Sequence, residues 1–455
     1  MLFSMDIEKL KQKILDLAIR GKLVPQDPND EPSSVLIEKI KNEKNELIKQ
    51  GKIKPTKDDS YIYRGSDNCY YEKKGKNTYN ISKEIPFDIP NSWIWTRLSV
   101  LTSKIQYGLN YPSKMSGKNK YLRITDIQNN QVNWENVPYV NITKDEEGFL
   151  LNNNDIVFAR TGATVGKSFL VINPPIGATF ASYLIRIVIN DYDIAQYLYS
   201  FFQSSFYWNQ IIDKAIGSTQ PNCNGTKLAS LLVPVPPLCE IKKINEKINM
   251  ILPKIENIIK LKKDTLSLVE SLKKAILSSF FDSENSTYKS YYENCLLQNY
   301  TKIIMGQSPK VVLNENIENS IEFHQGKLMF TENEISYSNK YTINPCKKTN
   351  GHSILLCVRA PVGVLNYCNR EIAIGRGLCS IEPSIHLDLD YLYFWLLYLN
   401  KYFIDKSTGS TFSAITIGTI KNAPFKYCSL EIQHEIKTKI SELFSSLDII
   451  KEQII

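Results

Sequence analysis

Histidine is scarce, cysteine is scattered and no apolar stretch is long, and each shortage closes off a class of function. The four histidines of the 455-residue chain lie apart, with no spacing that builds a metal site or a nucleophile–base pair. Solvated or core roles are expected for each. The nine cysteines include no Cys-x-x-Cys, and a chain of this length needs no disulfide staples, so reduced thiols are expected. Cys346, Cys357, Cys368 and Cys379 recur every eleven residues, yet the span reads as strands and loops and offers no zinc-ligand pairing. The longest apolar run, Tyr391 to Leu399, is far too short to cross a bilayer, and Met1-Leu-Phe-Ser-Met-Asp lacks the basic and apolar segments of a targeting leader. A cytoplasmic chain with no membrane partner is expected.

What is present is ordinary for a globular protein: 43% hydrophobic and 22% charged residues exclude wholesale disorder and a collagen-like fibre. At about 150 residues per domain, the length suggests about three units. Lys and Arg outnumber Asp and Glu by 55 to 47, an excess compatible with a polyanionic partner. The 26 tyrosines add side chains able to stack on or hydrogen-bond bases, an enrichment that AT-biased coding also produces.

Self-similarity is the most informative property. Gly-Ser-Thr at Gly217 returns at Gly409, 192 residues on, and Leu238, Ile244, Ile248, Ile251, Ile255 and Ile258 keep step with Leu430, Ile436, Ile440, Leu443, Leu447 and Ile450. Upstream, Tyr197-Leu-Tyr returns at Tyr391, Ile176-Gly177 at Ile374-Gly375, and Lys104-Ile105 with Gly108 at Lys302-Ile303 with Gly306. Arg160 and Gly166 are paired with Arg359 and Gly363 across a two-residue gap. Each copy contains short apolar runs bounded by Gly, Asn and Pro, which read as β-rich with one or two helices. A long helix with a coiled-coil-like period follows from Ile244, and Pro253 is expected to kink or split it at a cost of about 3 kcal/mol.

The second copy of that helix runs out at Ile455, opposite Lys263, and the missing half lies at the other end of the chain. Leu10-Lys-Gln-Lys-Ile14-Leu15 matches Leu272-Lys-Lys-Ala-Ile276-Leu277 at an offset of 262. The termini therefore read as one helix cut open, and the chain as an α+β protein: two β-rich α/β domains in a pseudo-twofold arrangement, separated by two long antiparallel coiled-coil-like helical segments.

Four signatures carry a family resemblance. They are Leu10-Lys-Gln-Lys-Ile-Leu-Asp-Leu-Ala-Ile-Arg-Gly-Lys-Leu-Val-Pro-Gln-Asp-Pro, Asp30-Glu-Pro-Ser-Ser-Val-Leu-Ile-Glu-Lys-Ile, Ile85-Pro-Phe-Asp-Ile-Pro-Asn-Ser-Trp and Gly217-Ser-Thr-Gln-Pro-Asn, joined by Val235-Pro-Pro-Leu-Cys-Glu. With these the chain resembles the specificity subunits of type I restriction-modification enzymes. The second copy departs from the pattern: it lacks the Ile-Pro-x-x-Ile-Pro segment, has Phe412-Ser413 for Gln220-Pro221, and has Lys426-Tyr427-Cys428 where prolines are usual.

The resemblance implies a non-catalytic subunit that recognises a bipartite, asymmetric site on double-stranded DNA. Each half-site would be read by one target-recognition domain, residues 85–237 and 285–429. Residues 238–284 would form a central spacer helix and residues 430–455 a helix pairing with it, while residues 1–60 would complete the distal spacer. Two methyltransferase subunits, which modify adenine with S-adenosylmethionine, would dock on the helices, and motor-nuclease subunits using ATP and Mg would join them. No cofactor is expected in this chain itself.

Competing functions were an autonomous methyltransferase or ATPase, a coiled-coil scaffold, and an orphan DNA-binding adaptor. Thr161-Gly-Ala-Thr-Val-Gly-Lys167-Ser168 resembles a phosphate-binding loop, but Thr161 stands where the first Gly belongs, so a hairpin turn is favoured. Asn173-Pro-Pro-Ile resembles an amino-methyltransferase motif without its aromatic residue or a glycine-rich cofactor loop. Candidates for DNA contact are Arg160 and Arg359, whose forks suit guanine or phosphate or else a structural ion pair. Thr161 adjoins Arg160. Ser218, Thr219, Gln220 and Asn222, with Ser410 and Thr411, read as phosphate or base contacts or as turn and capping residues. Tyr107, Lys114, Arg123, Lys167 and Arg376 complete the set. The Lys-rich helix from Ser34 to Gln50 reads as a solvated or subunit-docking face.

Overall fold

The computed structural model describes residues 7–53, 60–128, 130–162, 164–215, 223–282, 286–332, 334–408 and 413–454. There are two compact units, Met1–Ile259 and Lys260–Ile455, rather than three, because the helical segments join the core of one unit or the other.

The first unit is built on a four-stranded antiparallel sheet in the order Ser168–Leu170, Ile156–Ala159, Leu184–Val188, Lys104–Tyr107. Side chains alternate across a strand, and both faces here are covered. Ile156 and Phe158 enter the main core, whereas Val157 between them enters a smaller core with Leu122, Phe180 and Leu184. That smaller core is closed by a second sheet, Thr179–Phe180, Asn119–Leu122, Tyr139–Val140. In the second unit the strands Leu365–Cys368, Ser353–Cys357, Leu378–Pro383 and Thr301–Met305 repeat the first sheet in the same order.

Each unit also holds the same pair of helices. In the first, helix α1 (Ile7–Ile19) buries Ile14, Leu15, Ala18 and Ile19 in the core that holds Ile244, Ile248 and Ile255 of the long helix Leu238–Phe281. In the second, Leu277 and Phe281 from the far end of that helix share a core with Ile436 and Ile440 of the helix Leu430–Ile454. The ends coincide with the two offsets: Ile19 corresponds to Phe281 and Leu238 to Leu430. Even a surface ion pair recurs, Lys11–Glu256 at 2.7 Å and Lys273–Asp448 at 2.6 Å. Such half-exposed pairs contribute at most about 1 kcal/mol, while each buried Leu or Ile contributes about 1.5–3 kcal/mol. Packing therefore holds the pair, and the bridge marks its register.

Pro253 does not split the long helix, which continues through it. Leu252 and Ile255 are buried on either side, and their burial offsets the lost hydrogen bond. Lys426, in place of a family proline, is buried with its Nζ donating to the Phe281 carbonyl at 2.8 Å, a cation on the last turn of the long helix.

Three of the signatures, those holding Gln26, Asp30 with Ser33, and Trp93, meet the segment Val235–Glu240 around one buried carboxylate. Glu240 accepts from Trp93 Nε1 at 2.7 Å and from the Gln26 amide. Ser33, at the start of helix α2 (Ser33–Lys49), donates its hydroxyl to the Val235 carbonyl at 2.7 Å, and Asp30 meets Lys243 at 3.3 Å. Residues far apart in sequence thus close over the start of the long helix.

A three-stranded antiparallel sheet, β1 (Ser60–Arg64), β2 (Tyr70–Lys74) and β3 (Asn77–Asn80), lies between α2 and the strand Ile94–Arg97, and the sequence reading assigned nothing to it. Its inner face is anchored by buried Glu72, which takes both Nε and Nη2 of Arg97.

A polar cluster, half-buried at Arg370 and Glu322 and buried at His324, fastens the second unit. Arg370 grips both oxygens of Glu322 at 2.8 Å and donates to the Ile335 and Ser336 carbonyls, while His324 Nε2 lies 2.7 Å from Glu322. Although burial opposes ionisation, the Arg370 hydrogen bonds prevail and pull the Glu322 carboxyl down to about 2; burial keeps His324 below its ordinary value. Both groups bind protons more weakly folded than unfolded. Their stabilisation is present above about pH 6.5 and is lost as pH falls, first through the His324 range and then toward 2. Arg370→Met is expected to destabilise the second unit by about 3 kcal/mol at neutral pH, with the deficit shrinking in acid. Urea titrations across pH, read by hydrogen exchange at residues 322–338, test this; a deficit independent of pH would reject the linkage.

Candidate nucleic-acid interface

In each unit the sheet ends in a knot of crossing backbone. Gly108 N donates to Leu184 O, Leu109 N to Phe180 O, Ala181 N to Leu122 O and Arg160 N to Tyr183 O. The second unit repeats this with Gly306 N to Leu378 O, Gln307 N to Ile374 O and Val358 N to Gly377 O. In both units a later backbone N–H also reaches the knot, Cys223 N to Arg160 O and Ile415 N to Val358 O.

These bonds correct the alignment of the two arginines. Arg160 corresponds to Val358, and Arg359 takes the place of Thr161, because the turn to Gly166 or Gly363 differs by one residue rather than two. One step along a strand end reverses the side chain. Arg160 is accordingly half-buried and Val358 buried, whereas Arg359 is exposed.

The surroundings follow from this. The Arg160 guanidinium lies 5.0 Å over the Tyr107 ring, with its Nε buried and without a partner among the described residues. Tyr107 Oη accepts from Gly225 N at 2.9 Å, which fixes the ring under the arginine. Thr161 is half-buried beside it, and exposed Tyr183 joins the same knot. Arg123 also emerges here, but it forks onto Asp126 at 2.7 and 3.1 Å, and this hydrogen bonding raises its pKa further. Its bidentate edge is thus engaged within its own turn, which weakens its candidacy as a base reader.

Two candidates lie elsewhere. Lys114 is exposed on the bridge to Tyr139, in the smaller sheet's loop. Lys167 faces a cleft of about 360 Å³ lined by Lys11, Gln12, Phe202 and Trp208. Ser218, Thr219, Gln220, Asn222, Ser410 and Thr411 lie outside the described residues.

In the second unit Arg359 and Arg376 are brought together by the Val358–Gly377 bond. Sequence reasoning missed Lys327 and Lys347, which the knot adds: Gly375 N donates to His324 O and Ile374 N to Lys347 O, and Lys327 is close enough to act on the Cys357 thiol. Nothing distinguishes a loop lysine in sequence; only the crossing backbone gathers these. All four cations are exposed, and none has an ion pair or side-chain hydrogen bond among the described residues. The first knot is thus aromatic with one held arginine, and the second is cationic.

The phosphate-loop resemblance at Thr161–Ser168 is a hairpin: Phe158 pairs with Ser168 across antiparallel strands, and Gly162 and Gly166 take φ of +85° and +84°. A strand, not the helix such a loop requires, follows it. Asn173 sits with positive φ in a turn and takes the Asn153 side chain on its amide.

The family model described as the type I restriction modification DNA specificity domain matches twice, over residues 104–271 and 267–455. The specificity subunit of the Escherichia coli type I restriction enzyme EcoAI is 31% identical over 287 residues, 60% of this chain and 45% of that protein. The putative type I restriction enzyme MjaX specificity subunit of Methanocaldococcus jannaschii is 26% identical over 403 residues, 82% of this chain and 92% of its own length. A chain solved in work on complex assembly and conformational transition of the type I R-M system shares the fold, with a TM-score of 0.63 at 22% identity over 81% of this chain and 94% of that one. With the domain matched in both copies and the paired knots repeated in both units, this chain belongs to the family of type I restriction-modification specificity subunits.

Proposed function

We propose that the chain recognises a bipartite sequence in double-stranded DNA, each unit reading one half-site, and directs adenine methylation and restriction by partner subunits. The observation that carries this is the pair of knots: one scaffold built twice, with side chains that differ at equivalent positions. Two readers of one fold and unlike surfaces suit an asymmetric split site. Arg160, Thr161, Tyr107, Arg359 and Arg376 are the contacts favoured by position, with Lys327 and Lys347 added as phosphate contacts and Arg123, Lys114 and Lys167 as weaker ones. Ser218, Thr219, Gln220, Asn222, Ser410 and Thr411, outside the described residues, stay in the proposed contact set.

The helices would dock two methyltransferase subunits carrying S-adenosylmethionine; exposed Leu261, Leu268 and Leu272 on the long helix support that role. Motor-nuclease subunits with ATP and Mg would complete the complex in the cytoplasm. Residues 85–237 and 285–429 are proposed as the readers, with 1–60, 238–284 and 430–455 as the helical frame. Methylome sequencing of a host with and without this chain tests the proposal. Loss of a single split adenine-methylated motif is expected; an unchanged methylome in a host that expresses the partner subunits would reject it.

A further inference from the structure

The sheet β1–β3 has no counterpart in the second unit: residues 20–93 separate α1 from the strand Ile94–Arg97, whereas residues 282–292 separate the long helix from the equivalent strand Glu293–Leu296. Its registers place Tyr61 opposite Lys73, Tyr63 opposite Tyr71, Tyr71 opposite Asn80 and Lys73 opposite Thr78. These six residues therefore share the outer face, away from the buried Ile62 and Glu72. The rings of Tyr61, Tyr63 and Tyr71 lie 5.7 and 5.8 Å apart in series, and the Lys73 ammonium is 5.8 Å from the Tyr61 centroid. Tyr61 and Tyr63 nonetheless stay 49% and 40% exposed.

The chemistry of this face selects its occupant. None of the six residues is aliphatic, and although protein-docking surfaces also favour tyrosine, they are depleted in Lys at their centre. Tyrosines interleaved with lysine match a polyanion better. Exposed Lys76, at the turn between β2 and β3, extends the positive charge, whereas Lys74 alternates to the inner face and pairs with Glu72 at 3.4 Å. Asp67, the carboxylate at the rim, is occupied by the Tyr71 hydroxyl at 2.7 Å.

We infer that the outer face of β1–β3 grips the phosphate backbone of duplex DNA outside the recognised half-sites, adding affinity without sequence preference. This rests on the DNA-recognition reading above. Tyr hydroxyls and ammonium groups suit phosphate oxygens, and the anchored inner face keeps the platform rigid.

The test uses the full chain and fluorescent duplexes carrying the methylated motif, one with long flanks and one trimmed to the motif. Lys73→Gln and Lys76→Gln together are expected to weaken binding to the flanked duplex several-fold and to lower the salt slope by about two. Tyr61→Ser with Tyr63→Ser, leaving every charge in place, is expected to weaken the same duplex several-fold. Neither variant should alter binding to the trimmed duplex or the preference for motif over scrambled sequence. Equal affinity of wild type and both variants for the flanked duplex would overturn the inference. So would variants that bind DNA normally but no longer retain the methyltransferase subunit, which would make this a protein-docking face. If wild type itself fails to prefer the motif, the half-site reading fails, while a flank-dependent loss in the variants would still sustain this one.

Discussion

Replacing residues 86–237 with the matching segment of a relative is expected to change one half of the methylated motif completely and leave the other half as it was. The first unit carries its own sheets and its own knot, and the exchanged segment must seat in a core completed by α1, α2 and the long helix, which stay in place. Two contacts decide whether the graft folds. The incoming segment must supply a tryptophan for Glu240, as Trp93 does, and an arginine for Glu72, as Arg97 does. Leaving Glu240 buried without its donors would cost about 1–3 kcal/mol. Burial already raises its pKa, and loss of the Trp93 hydrogen bond would raise it further. The methylome of cells expressing the hybrid reports both halves at once. A motif altered in both halves would reject independent readers.

Gly108→Ala and Gly306→Ala are each expected to unfold the unit that contains them. A Cβ at Gly108 would stand 2.2 Å from Ala181 O and 2.5 Å from Phe180 O; at Gly306 it would stand 2.1 Å from Gly375 O and 2.7 Å from Leu378 O. All four obstacles are backbone atoms at the knots, where no side chain can turn aside. Relief requires breaking the knot, at a cost of about 3 kcal/mol or more. Gly326→Ala is the control, since nothing lies within 4 Å of its added carbon, and it should change stability by no more than about 0.5 kcal/mol. Hydrogen exchange resolved by unit is the measurement. Protection that stays at wild-type level around residues 180–188 in the Gly108 variant would show that the crossing is not as tight as the geometry requires. The same two glycines hold the candidate arginines in place, so the variants should also lose DNA binding in the affected half.

Much of this protein was legible in its sequence because duplication leaves a record that needs no folding to read. The offsets of 192 and 262 predict that two helix ends correspond across the chain, and the ends at Ile19 and Phe281, with starts at Leu238 and Leu430, meet them. Tyr197 and Tyr391, matched by sequence alone, make the same hydrogen bond to equivalent strands, with Pro234 O and Lys426 O. Apolar spacing also suffices to identify the seam, since only one face of a helix can be buried against a neighbour.

Only the tertiary structure decided the rest, and in each case the reason is that the fact lies between distant segments. Arg160 and Arg359 look equivalent in sequence, yet backbone pairing with Tyr183 and Gly377 sets them one residue apart and so on different sides. Pro253 reads as a breaker, but the burial of its neighbours keeps the helix whole. Lys327 and Lys347 are anonymous loop lysines until the His324–Gly375 and Lys347–Ile374 bonds tie their segments to the strand that precedes Arg376. The hairpin β1–β3 escaped notice because it has no second copy for comparison, and its aromatic face becomes a surface only when strand register puts Tyr61, Tyr63 and Tyr71 on one side. Local pattern and repetition therefore determined the elements and their duplication, while long-range hydrogen bonding decided which side chains share a surface.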